Sequence, residues 1–525
     1  MDLGELARRN ARRYPEKVCL VEGNKRYTTQ AFNHRVNRLA NGLSGFGVVR
    51  GDRAAVLLSN CSEYVEIYLA LAKIGVMAVP LNTRLNAREY IPYFKVTRPK
   101  ILFVGGQLQG VAAGIRPDLD TVRHVVCVGT RKLEGGVSYE NLLSDSSSSE
   151  PQVEVNENDV AAIFFTSGTT GSPKGAMWTH RNILEHLANL QIDLPFCRDD
   201  RGLVVLPMFH GPVTTPILHQ LLYIGGCVVV SPYASFDPGQ FLETIAQENI
   251  TCTFVVPTML VQLVNYPEVD RYRRAIRQLR QIKYAASPAS AAVLKKAVGL
   301  FGPILTQGYG STETLGGVTF LSKEDHIESP EGGRKLSSCG KEYINVHIKI
   351  VDEKGTEVLP GTVGEVLVKS DKNFVGYWEM PEESGEVLKG GWLHTSDLGM
   401  FDEERYLYLV DRKKDMIISG GENIYPAQIE EVINRHSKVK ESAVVGVPDP
   451  TWGESVKAFV VLKDGESATE DEIIGICRDN LASYKKPKFV QFVDDLPRNS
   501  MGKVLKHMLR EQHSTKGGGY GIPGS

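Results

Sequence analysis

Thr166-Ser167-Gly168-Thr169-Thr170-Gly171-Ser172-Pro173-Lys174-Gly175 follows directly on the apolar run Val160 to Phe165. A strand that opens into glycines, hydroxyls and a single lysine is suited to holding phosphate. The glycines let backbone N–H groups approach the oxygens, the Ser and Thr hydroxyls donate further hydrogen bonds, and Lys174 offsets charge on a leaving diphosphate. An ordinary polar turn rarely needs so many residues of this kind in succession. The stretch is not a Walker A loop, which requires G-x-x-x-x-G-K-[ST], because Pro173 precedes Lys174 and Gly175 follows it.

On either side of this loop, helix-period and strand-like runs alternate. N-terminal to it, Ala31 to Leu43 and Tyr64 to Ile74 have helical spacing, and Arg53 to Leu58, Val76 to Val79, Ile101 to Val104 and His124 to Val128 read as short strands. C-terminal to it, β-rich runs recur at Gly202 to Phe209, Cys227 to Ser231, Cys252 to Pro257, Ile282 to Ala286 and Ile304 to Tyr309, with helical patterns between most of them. Strands interleaved with helices predict largely parallel sheets covered on both faces. Ser144 to Glu150 reads as an exposed loop. Beyond Val346 the runs Val346 to Val351 and Gly364 to Ser370 are joined by glycine turns and predict an antiparallel or barrel-like piece. After Asp411, two amphipathic helices (Ala427 to His436, Glu470 to Ala482) and two strands (Ser442 to Val447, Ala458 to Leu462) predict a small α+β unit. The expected fold is therefore α/β: a large N-terminal domain, 1–411, of two layered α/β sheets plus a small β-barrel-like subdomain, a small α+β C-terminal domain, 412–513, and a disordered tail, 514–525.

The chain has 525 residues, 42% of them hydrophobic, which calls for at least two domains. Lys and Arg number 60 against 62 Asp and Glu, a net charge of −2, so no excess of positive charge invites nucleic acid. The eight cysteines lie scattered, without C-x-x-C or metal-ligand spacing, and read as reduced, mostly buried residues of a cytoplasmic protein. No signal-like segment or transmembrane-length apolar run is evident. Arg8, Arg9, Arg12 and Arg13 could touch anionic lipid, but Glu5 and Glu16 flank them and the spacing suits a solvated helix face. Nothing in the sequence decides between a monomer and a homodimer.

The loop from Thr166 to Gly175 resembles the signature loop of the adenylate-forming superfamily, which contains acyl-CoA synthetases, amino-acid adenylation domains and beetle luciferases. Four further segments match in order, so that the resemblance spans nearly the whole chain. Gly308-Tyr309-Gly310-Ser311-Thr312-Glu313-Thr314 is similar to the adenine and magnesium motif. The resemblance makes Tyr309 the adenine-stacking ring, with Gly310 beside it, Thr312 a phosphate ligand, and Glu313, with Thr166, a ligand of Mg²⁺. An aromatic face suits a purine, and one carboxylate completed by phosphate oxygens and water suits Mg²⁺. Trp392-Leu393-His394-Thr395-Ser396-Asp397 resembles the segment whose Asp accepts from both ribose hydroxyls, with Ser396 where the family usually has Gly. The run from Asp411 to Pro426 resembles the hinge segment: Arg412 is implied at ribose or phosphate, Lys414 as the pivot of a mobile C-terminal domain, and Gly420 and Gly421 beside the pantetheine arm of CoA. Pro497 to Lys506 resembles the loop bearing the adenylation lysine, here Lys503, with Met501 in place of the usual Ser or Thr.

The resemblance implies a ligase that takes a small-molecule carboxylic acid, ATP and CoA. The acid is first adenylated under Lys503, Lys174, Thr166 and Glu313, with Ser167, Gly168, Thr169, Thr170 and Gly171 around the pyrophosphate. After the C-terminal domain has turned, the acyl group passes to CoA. Phe209-His210-Gly211 falls where acyl- and aryl-CoA synthetases carry an aromatic or His gate, and His210 is the candidate there. Amino-acid adenylating relatives place an Asp nearby, which this chain lacks. Acetate-specific relatives carry Trp at the position of Gly310, so Gly308, Gly310, Gly316 and Gly317, with Tyr284, Ala285 and Ala286, imply a pocket for a longer or bulkier acid. No Arg or Lys is evident among these positions, which disfavours a dicarboxylate. A medium-to-long fatty acid is the expected substrate, with an aromatic acid of the hydroxycinnamate or benzoate type as the alternative. A luciferase-like oxidative enzyme and an inactive acyl- or nucleotide-binding protein are the remaining readings.

Overall fold

The computed structural model describes residues 1–115, 119–130, 133–166, 173–231, 233, 235–287, 289–327, 335–420, 422–498 and 504–516, with side chains up to 511. The chain divides into two compact units. One comprises Met1–Thr166, Ser172–Ile348 and Val368–Leu393, and the other comprises chiefly Lys349–Leu367 and the chain from His394 onward.

The first unit contains two large sheets. Nine strands lie in the spatial order Lys341–Glu342, Gly316–Leu321, Leu305–Ser311, Gln281–Ala285, Cys252–Val255, Arg201–Val204, Cys227–Val230, Val18–Glu22 and Lys25–Thr28. The six strands from Leu305–Ser311 to Val18–Glu22 pair in parallel, and antiparallel pairs occur only towards the edges. The second sheet has seven strands in the order Val137–Ser138, His124–Val128, Ile101–Gly105, Arg53–Leu57, Met77–Pro80, Val160–Thr166 and Lys174–Thr179. Its interior strands are apolar except at their ends, where Arg53, His124 and Thr166 stand, as expected of strands covered on both faces. Leu57, Val79, Leu102, Val104 and Ile163 form one core with Tyr90 and Phe94 of the helix Ala87–Thr97. Val229, Val255, Ile282, Tyr284 and Leu305 form another with Leu242 and Leu260.

Two local expectations change. The strand expected over Gly202 to Phe209 ends at Val204. Pro207 has no N–H to give a ladder, and the side-chain amide of Asn60 takes over: its Nδ2 donates to the Leu206 carbonyl at 2.8 Å and its Oδ1 accepts from the Met208 amide at 2.8 Å. This turns Phe209 and His210 out of the sheet and into the short helix Gly211–Thr214. The serine-rich loop is exposed but fastened. Asn37 and Asn41 donate to the carbonyls of Ser147, Ser148 and Ser149, and Glu150 pairs with the buried Lys73 at 2.7 Å.

In the second unit, the strands Glu422–Ile424, Ile417–Ser419, Gly453–Leu462 and Val439–Asp449 are neighbours in that order, with Phe489–Phe492 parallel to Gly453–Leu462. Ile429, Val432 and Ile433 of the helix Pro426–Asn434, together with Ile473 and Cys477 of Glu470–Asn480, pack on Val444, Val456 and Val460. The helix Glu470–Asn480 begins with a capping box between Thr469 and Glu472. The chain from His394 to Arg412 forms an antiparallel pair in which Asp397 lies opposite Arg412 and Leu398 opposite Asp411. No helix among the described residues is long and apolar enough to cross a membrane. The basic N-terminal cluster is largely engaged within the chain: Arg8 and Arg12 pair with Glu5, and Arg9 donates to the Tyr223 carbonyl.

Candidate active site

The antiparallel register sets Thr166 directly opposite Lys174 at the mouth of the phosphate loop. Residues 167–172, which include Ser167, Gly168, Thr169, Thr170 and Gly171, lie outside the described residues, as do Gly421 and Lys503. A segment not singled out in the sequence completes this mouth. The Trp378 amide donates to the Gly175 carbonyl at 2.7 Å, and Met177 and Gly376 are joined by a 3.0 Å backbone bond, so the 375–378 chain lies along the strand Lys174–Thr179. Tyr377 thereby reaches both charges of the site. Its hydroxyl donates to Glu313 Oε1 at 2.8 Å, and its ring centroid lies 5.3 Å from Lys174 Nζ. Burial and the Glu313 charge hold the phenol well above its ordinary pKa, so it remains an O–H donor.

Tyr309 lies on the strand Leu305–Ser311, and Thr312 and Glu313 lie in the turn that follows it. Three groups fix this turn through its backbone. The Trp178 indole donates to the Thr312 carbonyl at 2.9 Å, the Phe374 amide to the Glu313 carbonyl at 2.8 Å, and the ammonium of the fully buried Lys372 to the Thr314 carbonyl. With the carbonyls occupied, the Thr312 and Glu313 side chains keep a defined direction. Among the described residues no group of three or more His, Cys, Asp or Glu side chains is placed to hold a metal ion by itself. A half-buried carboxylate with one oxygen on Tyr377 fits a Mg²⁺ ion whose remaining ligands are phosphate oxygens and water, not an all-protein cage.

The predicted acyl-pocket residues separate into two groups. Gly308 is in register with Ala285, and Gly316 approaches the gate segment: a Cβ on it would lie 3.0 Å from the Pro212 carbonyl. Phe209 is buried beside His210, whose imidazole burial pushes down to about 4, so it is neutral near pH 7. Ala286 follows the strand Gln281–Ala285 at φ +79°, a left-handed conformation uncommon for a residue with a Cβ. Tyr284, in contrast, belongs to the opposite face of the sheet. It is fully buried in the Val255, Leu260 and Ile282 core, and its hydroxyl meets His326 Nε2 at 2.9 Å. Side chains alternate along a strand, so the residue that shares the face of Ala285 is Lys283. Gly310 also takes a different role. A Cβ there would meet the Gly316 carbonyl oxygen at 1.8 Å, so this glycine answers to the close approach of two strands at a register shift and does not itself provide room for an acyl chain.

In the second unit, Arg412 Nε lies 3.5 Å from Asp397 Oδ1. Ser396 stands at φ +59°, the conformation that a glycine adopts without strain, and its carbonyl accepts from the Lys413 amide at 2.9 Å. Lys414 is exposed, and Arg510 of the last helix pairs with the adjacent Asp415 at 2.9 Å. Gly420 has φ +59°, donates its amide to the Trp452 carbonyl at 2.8 Å, and would strike the Trp452 ring at 2.8 Å if it carried a Cβ.

Tyr377, Lys372 and Trp178 are the residues the sequence reading missed. Tyr377 stands 64 residues from the carboxylate it orients. The pair Tyr377-Trp378 after Gly376, two large rings at a glycine, was the available signal.

Residues 7–378 match the family model described as AMP-binding enzyme, and residues 428–503 match that of the AMP-binding enzyme C-terminal domain. A feruloyl-CoA synthase of Amycolatopsis sp is 35% identical over 511 residues, 97% of this chain and 99% of that protein. A long-chain-fatty-acid–CoA ligase of Mycobacterium tuberculosis is 34% identical over 515 residues, covering 98% and 99% respectively. The solved structure of o-succinylbenzoate CoA synthetase from Bacillus subtilis, in complex with its acyl-adenylate intermediate, superimposes with a TM-score of 0.84 at 30% identity, covering 96% of this chain and 97% of that one. The ordered phosphate, adenine, ribose and hinge motifs and these likenesses lead to one conclusion: the chain belongs to the AMP-binding enzyme family of adenylate-forming enzymes, and it is an AMP-forming acid–CoA ligase.

Proposed function

We propose that this protein joins a bulky carboxylic acid to CoA by way of an acyl-adenylate, and that the acid is aromatic. The reading of the chemistry rests on one observation above all: Tyr377 links the Lys174 ammonium and the Glu313 carboxylate, the two groups proposed to meet one triphosphate and its Mg²⁺. In the first half-reaction the acid's carboxylate oxygen bonds to the α-phosphorus of ATP and the bond to pyrophosphate breaks, giving acyl-adenylate. In the second, the CoA sulfur bonds to the acyl carbon and AMP leaves with the acyl oxygen's electron pair. Lys174 and the Thr166 to Gly175 loop stabilise the departing pyrophosphate, and Glu313 with Thr166 holds Mg²⁺, which when bound offsets triphosphate charge. Asp397 takes the ribose hydroxyls and Arg412 the adjacent ribose or phosphate. Lys503 is the cation of the first half-reaction, Lys414 the pivot, and Gly420 and Gly421 serve the CoA arm, with 1–411 and 412–513 as the functional domains. Most of the eight cysteines are buried where desolvation disfavours a thiolate, so none is assigned a role.

Two observations support an aromatic acid over the fatty acid first expected. Aromatic and polar side chains gather at Gly308 and Gly317, where a fatty chain calls for an unbroken aliphatic lining, and the feruloyl-CoA synthase is similar over nearly the full chain. The fatty-acid reading keeps the support of the mycobacterial relative. AMP formation that depends on CoA, measured with fatty acids of graded length and with cinnamates and benzoates, tests both. The aromatic reading expects the highest kcat/KM on a ring acid, a long-chain optimum would overturn it, and no AMP with any acid would overturn the ligase reading.

A further inference from the structure

Lys283 is 3% exposed, and among the described residues its Nζ has a single hydrogen-bond partner, the Tyr343 hydroxyl at 3.1 Å. The Phe254 and Tyr343 rings lie 5.9 and 5.7 Å from that nitrogen, and no carboxylate is recorded as interacting with it among the described residues. A buried lysine without a carboxylate is rare, because desolving an ammonium is costly unless a counter-charge or acceptor replaces water. Two of the glycines assigned to the acyl pocket border this pair. A Cβ on Gly308 would lie 3.3 Å from Lys283 Cε and 3.8 Å from its Nζ, and a Cβ on Gly317 would lie 3.3 Å from the Tyr343 hydroxyl. Thr306, the register partner of Lys283 on the neighbouring strand, is fully buried, and its hydroxyl has no hydrogen-bond partner among the described residues. His186 is fully buried with both ring nitrogens equally without partners, close enough for the Lys283 and Lys372 charges to oppose its protonation. The surroundings thus carry positive charge with no carboxylate acting on Lys283 among the described residues, and hold polar groups whose hydrogen-bonding capacity is unmet.

We infer that Lys283 and Tyr343 form a recognition site for the far end of the acid, and that the substrate carries there an oxygen function, a phenolic or carboxylate oxygen, that accepts a hydrogen bond from the Lys283 ammonium. This rests on the ligase reading above and narrows its substrate. It also corrects the expectation that no lysine faces the pocket. Burial pushes the Lys283 amine down to about 7, so an arriving acceptor restores what desolvation removed. A site with buried donors of this kind rejects an analogue that lacks the acceptor, because the donors are then left unpaired.

The test compares cinnamic, 4-hydroxycinnamic and 4-carboxycinnamic acids as substrates of the wild type, Lys283→Met and Tyr343→Phe, with CoA-dependent AMP formation as the readout. The wild type is expected to prefer one oxygenated acid over cinnamic acid by at least about 10-fold in kcat/KM. Which of the two it prefers identifies phenol or carboxylate as the recognised group. In Lys283→Met that preference falls to within about 3-fold through loss on the oxygenated acid, while the KM for ATP is unchanged. Tyr343→Phe, which keeps the ring, lowers the same ratio in part and serves if the methionine variant does not fold. Equal wild-type rates on all three acids, or a selectivity untouched by both variants, would overturn the inference while leaving the ligase reading intact. No AMP from any acid would overturn both.

Discussion

Tyr377 donates its hydroxyl to Glu313 Oε1 at 2.8 Å while its ring lies 5.3 Å from the Lys174 ammonium. One side chain therefore orients the carboxylate proposed to hold Mg²⁺ and packs under the lysine proposed to receive pyrophosphate. Tyr377→Phe keeps the ring and removes the hydrogen bond. Adenylation is expected to fall about 10-fold in kcat/KM, the worth of one hydrogen bond to a charged group, with the concentration of Mg²⁺ needed for half-maximal rate rising. Pyrophosphate release at graded Mg²⁺ measures both, and an unaltered Mg²⁺ dependence would remove Tyr377 from the site.

Ser396 pays the strain of a left-handed backbone at φ +59° next to Asp397. A side chain in this region costs roughly 1 to 2 kcal/mol, and the greater freedom of glycine in the unfolded chain returns part of it. Ser396→Gly is accordingly expected to raise unfolding free energy by up to about 1 kcal/mol and to leave the KM for ATP unchanged. Urea denaturation decides it: a less stable variant would mean that the serine hydroxyl does something the backbone angle does not account for.

Gly310 sits where a Cβ would meet the Gly316 carbonyl oxygen at 1.8 Å, which must push apart the two strands that carry Tyr309 and Gly317. Gly310→Ala should therefore depress activity on acids of every length together and lower Tm. A change confined to long or bulky acids, with Tm preserved, would return Gly310 to the pocket wall.

Burial pushes His180 and His219 down from 6.5 to about 4, and His186 further below its ordinary value. His180 Nδ1 accepts from the Leu3 amide at 3.2 Å, a role open only to an unprotonated nitrogen. The folded protein keeps these rings neutral, whereas the unfolded chain protonates them below pH 6.5 and so binds more protons. Stability from these groups is complete above pH 6.5 and is lost as pH falls towards 4, by about 1.4 kcal/mol per pH unit for each histidine. Urea midpoints at pH 7, 6 and 5 should fall in that order. A flat profile would show that water reaches these rings.

The sheets were legible from period and composition because their strands are short apolar runs bounded by glycine and proline, and His124 to Val128 was read to the residue. Gly202 to Phe209 was not, because the Asn60 side chain that ends the strand lies far away in sequence. The family was legible because five short motifs of particular residue types follow one another in order along the chain. Tyr377 and Lys372 were not, since each acts on the 312–314 turn from about 60 residues away and reads in isolation as an ordinary surface residue. The face of the strand Gln281–Ala285 was misjudged by one residue: Tyr284 packs in the core against His326, and Lys283 shares the side of Gly308. Strand alternation makes a one-residue slip reverse every side chain.

The central claim, that one protein adenylates an acid and then transfers it to CoA, is tested most directly by separating the half-reactions in Lys503→Ala. With the acid that the wild type turns over fastest, pyrophosphate release should fall at least about 100-fold, the scale of removing a cation from a developing phosphoryl charge, while acyl-CoA formation from supplied acyl-adenylate stays within a few-fold of wild type. Equal loss of both half-reactions, or acyl-CoA formed by the wild type without release of pyrophosphate and AMP, would contradict the account.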